Sequence, residues 1–145
     1  MTVESLSLGN LSKIYEDLTN GFKKRVANEF GLHRTVLESW LHSLTIIRNL
    51  SAHHSRIWNR KHTVEPDVRK GHEEHFSRMF TGENTPTNPE KRTYRMLYAL
   101  NELLLIVSPD NSWANKLEEL IDEFPDIPFE QVGMSRNWAG FPDRI

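Results

Sequence analysis

The stretch Leu37-Glu38-Ser39-Trp40-Leu41-His42-Ser43-Leu44-Thr45-Ile46-Ile47-Arg48-Asn49-Leu50-Ser51-Ala52-His53-His54-Ser55-Arg56-Ile57-Trp58-Asn59-Arg60 decides the fold class. No glycine or proline interrupts residues 34–60, and at ~100° per residue Leu37, Trp40, Leu41, Leu44, Ile47, Ser51, His54 and Trp58 fall on one side. The spacing predicts one long amphipathic helix with His54 inside its apolar sector. Upstream, Leu11, Ile14 and Leu18 repeat at helical spacing, Asn10 offers a cap, and Asn20-Gly21 offers a stop. A short helix over 22–30 follows, with Phe22, Val26 and Phe30 aligned and Gly31 suited to a left-handed C-terminal position.

Downstream, residues 61–92 hold three prolines and two glycines and read as a long irregular excursion with one helix near 69–80. Residues 91–107 are strongly apolar and meet Pro109. Trp113, Leu117, Leu120, Ile121 and Phe124 make a last amphipathic helix, capped by Asn111 or Ser112 and ended by Pro125. No segment alternates as a strand does. The expectation is an all-α bundle: one helical domain over 1–125, then a coil tail over 126–145.

Composition narrows the class. The 145 residues suit one domain, and the 37% hydrophobic and 26% charged fractions are those of a soluble globular chain. No apolar run approaches the roughly 18 residues of a membrane span, and Met1-Thr2-Val3-Glu4-Ser5 lacks the basic start and apolar core of a signal peptide. The absence of cysteine excludes disulfides and thiolate zinc sites and fits a cytoplasmic location. Charge is uneven. Residues 48–70 carry six Arg/Lys against two acids, whereas residues 101–132 carry eight acids against Lys116 alone. A polyanion is drawn to the first region and repelled by the second; the bland alternative is a dipolar surface with no partner.

The chemistry-bearing residues cluster at the end of the long helix. Arg48 presents a fixed fork of donors suited to phosphate, and His53 can move a proton near neutral pH. On an unbroken helix Asn49, His53, Arg56 and Arg60 form a polar stripe opposite the core, with Arg48 about 140° from His53. Two residues so far apart do not pinch one small ligand, but the same helices of two protomers meeting across a two-fold axis would line one cleft with both pairs. Structural alternatives stand beside each: Arg48 in an ion pair with Glu38 or Glu102, Asn49 as a cap or crosslink, His53 as a solvated helix residue, and Arg56 and Arg60 as a solvated face.

The Arg-Asn-x-x-x-His spacing resembles the Arg-x(4–6)-His motif of the HEPN superfamily. Phe30-Gly31-Leu32, Leu37 through Leu44 and Arg48 through Arg60 together resemble bacterial abortive-infection (Abi) proteins of the AbiD/AbiF type. Leu8-Gly9-Asn10-Leu11-Ser12-Lys13-Ile14-Tyr15 and Arg136-Asn137-Trp138 add to the likeness, which is to the C-terminal half of those proteins. It implies a HEPN-like helical bundle and a metal-independent endoribonuclease of phage defence. The implied catalytic residues are Arg48, Asn49 and His53, the implied RNA contacts Arg56, Asn59, Arg60 and Lys61. The implied partners are RNA and a second copy forming a composite site. The products would carry 2′,3′-cyclic phosphate ends, with no metal and no cofactor required.

Competing readings are thinner. His72-Glu73-Glu74-His75 brings two histidines one position too close for the zinc-protease pattern, and a polar surface helix is its plain reading. No Gly-x-Ser-x-Gly elbow, phosphate loop or dinucleotide fingerprint occurs, so no nucleotide cofactor is expected. The serious rival is a non-catalytic HEPN-like domain that binds RNA or oligomerises within a defence or toxin–antitoxin system.

Overall fold

The computed structural model describes residues 6–79, 91–135, 138 and 140–142. Among these residues there are six α-helices and no strand: α1 (Leu8–Asp17), α2 (Asn20–Glu29), α3 (Arg34–Ala52), α4 (Glu73–Met79), α5 (Thr93–Val107) and α6 (Trp113–Glu123), then a 3₁₀ turn at Phe129–Val132. None of the helices is long and apolar enough to cross a membrane. The all-α expectation holds.

Helix α1 is capped by Ser7, whose Oγ accepts from the Asn10 N–H at 3.2 Å, so Asn10 lies inside the helix rather than capping it. The side chain that α1 buries is Tyr15, while Ile14 of the expected stripe is 49% exposed. The reason is polar. The Tyr15 hydroxyl lies 3.0 Å from the Lys23 carbonyl oxygen and 3.2 Å from that of Arg34, which ties α1 to both following helices. Helix α2 is likewise rotated from its apolar reading: Ala27 is fully buried, and Lys23 is buried because its ammonium donates to Glu38 at 2.8 Å. Phe22 and Val26 are left at 54% and 38% exposure. The C-terminus of α2 is as expected. Gly31 has φ +60°, and the Leu32 N–H reaches back to the Ala27 carbonyl, a Schellman turn.

Helix α3 runs through the middle of the fold, packing on α1, α2 and α5 and burying Leu37, Trp40, Ser43 and Leu44. Helix α5 faces it with Tyr94, Met96, Tyr98 and Ala99; the Trp40 and Tyr98 rings meet edge to face at 5.7 Å.

Much of the irregular excursion is an anchored strap. The Trp40 indole donates to the Asp67 carbonyl at 2.6 Å, and the Asp67 N–H donates to Ser39 Oγ at 2.7 Å. Burial pushes the Tyr94 and Tyr98 phenols well above their ordinary range, so both keep their protons. Tyr98 accepts from the Arg69 N–H at 3.2 Å, and its hydroxyl is hydrogen-bonded to His72 Nδ1 at 2.8 Å. Tyr94 accepts from the Trp138 indole at 2.9 Å, and its hydroxyl is hydrogen-bonded to His75 Nε2 at 3.0 Å. The helix expected near 69–80 is α4, beginning at Glu73. His72 is not on a polar surface: it is 2% exposed, and His62, bonded to Thr93 Oγ1 at 3.1 Å, is 3% exposed. Past α6, Val132 and Met134 join the core, and Phe141 stacks on Tyr94 at 5.7 Å.

Candidate functional site

Helix α3 ends inside the motif. At Ala52 the regular ladder stops, His53 is the C-terminal cap, and His54 turns left-handed with φ +50°. The His54 N–H donates to the Ser51 carbonyl at 3.1 Å and the Ser55 N–H to the Leu50 carbonyl at 2.9 Å. This is the same Schellman turn that closes α2, with histidine where Gly31 stood. Histidine tolerates the left-handed region better than most residues, and this explains a stop with no glycine to announce it. The 34–60 helix therefore ends about eight residues early.

Two expectations fall with it. His54 is not a core histidine; it is exposed, as is Ser51 from the same stripe. Arg56 and Arg60 do not share a helical stripe with Asn49 and His53, because they lie beyond the turn. Trp58 does reach the core, but from a loop: its indole donates to Gln131 Oε1 at 2.8 Å and its ring meets Phe129 edge to face at 5.8 Å. The tail, not the helix, holds the far end of the motif in place.

Arg48, Asn49 and His53 are all exposed. Arg48 Nη1 donates to Asn49 Oδ1 at 3.0 Å, and the Asn49 carbonyl accepts the His53 N–H at 3.1 Å. Asn49 thus touches both of the other residues, one through its side chain and one through its backbone. The acids that might have neutralised Arg48 are engaged elsewhere: Glu38 with Lys23 at 2.8 Å and Glu102 with Arg69 at 3.3 Å. Among the described residues Arg48 makes no ion pair.

Arg56, Arg60 and Lys61 are exposed beside this turn. Asn59 is exposed too, but its Oδ1 accepts from Arg92 Nη1 at 2.8 Å, and its φ of +50° marks a second tight bend. The negative end of the α3 dipole lies here and disfavours an anion. Any attraction for phosphate must come from these guanidinium and ammonium groups. A cleft of about 710 Å³ between α6 and the tail is lined by Asp122, Asp126 and Glu130 and is the wrong charge for a polyanion. No cluster of three or more His, Asp or Glu suited to a metal occurs among the described residues.

Sequence reasoning did not find the partners that matter for positioning. Gln131 lies 73 residues from Trp58 and carries no local signal.

Residues 1–59 match the family model of Abi-like proteins. The match takes in α1, α2, α3 and the whole of Arg48–His53, and it leaves the remainder of the chain uncovered. The likeness read at Arg136-Asn137-Trp138 lies beyond it, and Arg136 and Asn137 are outside the described residues. No curated protein and no solved structure matches the chain.

Proposed function

We propose that the chain is a metal-independent endoribonuclease of the HEPN type acting in bacterial phage defence. One observation carries the reading: Arg48 stands exposed with no carboxylate partner among the described residues, fixed instead by Asn49, one turn before an exposed histidine cap. An arginine kept only for stability is expected on an acid. One left open beside a titratable ring is suited to an external anion.

In the reaction, the ribose 2′-oxygen bonds to the adjacent phosphorus and the bond to the 5′-oxygen breaks. His53 accepts the 2′-OH proton, Arg48 balances charge on the phosphorane, and Asn49 holds the guanidinium. The leaving 5′-oxygen takes a proton from the His53 of a second copy, so the products are a 2′,3′-cyclic phosphate and a 5′-OH. Acid–base help of this kind contributes ~10²–10⁴-fold. The open position of the motif supports a composite site, because neither residue is enclosed by its own chain. Arg56, Arg60 and Lys61 extend the phosphate track, with Asn59 beside them. DNA, lacking the 2′-OH, is not a substrate.

The test is incubation of the purified chain with end-labelled single-stranded RNA in EDTA, alongside His53→Ala. Cleavage that survives chelation, leaves cyclic phosphate ends and disappears in the variant supports the reading. RNA binding with no cleavage by either chain would favour the non-catalytic alternative, a HEPN-like RNA-binding or oligomerisation domain.

A further inference from the structure

Two helices leave part of their apolar face in water. Helix α6 buries none of its residues fully, and Leu120 and the C-cap residue Phe124, four positions on, are 47% and 43% exposed. On α2, Phe22 and Val26 have the same four-residue spacing and are 54% and 38% exposed. Each pair carries one charge in the same wheel position: Glu123 follows Leu120 by three residues, and Arg25 follows Phe22 by three. The Arg25 guanidinium lies over the Phe22 ring at 5.9 Å, at the edge of that face. Neither Arg25 nor Glu123 makes an ion pair among the described residues.

We propose that α6 of one copy docks antiparallel on α2 of a second copy. In that orientation Phe124 lies against Phe22 and Leu120 against Val26. Flanking residues at the same wheel angle come together on the same side of an antiparallel pair. Glu123 therefore meets Arg25, and at the far end Lys116 meets Glu29. Like helices do not pair in this way. Two α6 faces bring Glu123 against Glu123, and two α2 faces bring Arg25 against Arg25, which is repulsive in both cases. The contact is proposed as head to tail and not as a reciprocal two-fold pair, so each copy presents one donor and one acceptor face to different neighbours and the assembly grows past two copies before it closes or extends. It uses no residue of the Arg48–His53 site and does not depend on the ribonuclease reading.

Sedimentation velocity on the full chain at low salt, from about 1 to 100 µM, tests it. The wild-type chain should grow beyond a dimer with concentration. Arg25→Glu and Glu123→Arg should each weaken that growth at least about tenfold. An equimolar mixture of the two variants should recover it, since every junction again joins opposite charges. Because the chain has no cysteine, Val26→Cys with Leu120→Cys in one chain should give an oxidised ladder, whereas either alone should stop at dimers. A wild-type chain that stays monomeric or dimeric, association indifferent to both charge reversals, or a double-cysteine chain without a ladder would each overturn the proposal.

Discussion

The indole N–H of Trp58 donates to the side-chain oxygen of Gln131 at 2.8 Å, joining the segment after α3 to the turn before the C-terminus. A neutral hydrogen bond of this kind contributes about 1 kcal/mol net. Trp58→Phe and Gln131→Ala should each destabilise by about 1 kcal/mol or more. A double-mutant cycle in urea should return a coupling near 1 kcal/mol. Strict additivity would show that the two side chains do not act together.

The left-handed turn at His54 makes a sharper prediction. A non-glycine residue there costs roughly 1–2 kcal/mol, most for β-branched side chains. His54→Gly should raise stability by about 0.5 kcal/mol, the gain limited by glycine's larger unfolded-state entropy, and His54→Val should lower it by about 1.5 kcal/mol. Equal effects from the two would mean that His54 does not hold φ +50°. Under the proposed chemistry His54→Gly also keeps cleavage activity.

Glu102 is 2% exposed and depends on Arg69, itself mostly buried, at 3.3 Å. Arg69→Ala strands a buried carboxylate and should cost about 3–5 kcal/mol. Replacing both, as Arg69→Met with Glu102→Gln, should recover much of the loss. Thermal denaturation of the wild type and the two variants decides it, and a double variant no better than Arg69→Ala would mean the guanidinium acts through packing alone.

Acid should loosen the strap. Burial holds His62 and His75 below their ordinary value of 6.5, with the cations Arg60 and Arg92 adding to the effect at His62 and His72 at His75. The unfolded chain then binds more protons than the folded one as pH falls through 6.5, so the stability present above 6.5 is lost below it, through the lowered folded values. Melting temperature should decline from about pH 7.5 to about pH 5.5, less steeply in His75→Gln. The same slope in wild type and in a His62→Gln/His75→Gln double variant would assign the decline to other groups.

The arginines divide by role under the proposed function. Arg48→Lys should lose most cleavage, because a point charge cannot reproduce the fork. Arg56→Ala, Arg60→Ala and Lys61→Ala should instead weaken RNA binding and flatten its salt dependence by about one counterion each. The measurement is affinity and single-turnover rate at two salt concentrations. An Arg48→Lys chain as fast as wild type would remove Arg48 from the chemistry.

The bundle was legible because periodicity reports apolar faces, and α3, α5 and α6 have them. It misled where a polar atom outweighed an apolar one. Tyr15 and Lys23 are buried by virtue of the carbonyl oxygens and the carboxylate they reach, and Ile14, Phe22 and Val26 were left outside as a result. The exposure of Asn49 and His53 could be read from spacing, whereas that of Arg48, about 140° from His53 on the helix, could not. The end of α3 could not, because a histidine took the place that a glycine usually announces. The strap was opaque for a different reason: its partners, Ser39 for Asp67 and Tyr98 for His72, are 28 and 26 residues away.

The turn at His53 and His54 also divides the chain into parts that can vary separately. Within a helix, a one-residue insertion rotates everything beyond it by about 100°. An insertion or deletion between Ser55 and Ile57 would instead fall in irregular backbone. It would shift Arg60 and Lys61 relative to Arg48 while leaving Leu37, Trp40 and Leu44 seated. Drift in loop length can thus retune the charged rim of this surface without reopening the question of how the domain folds.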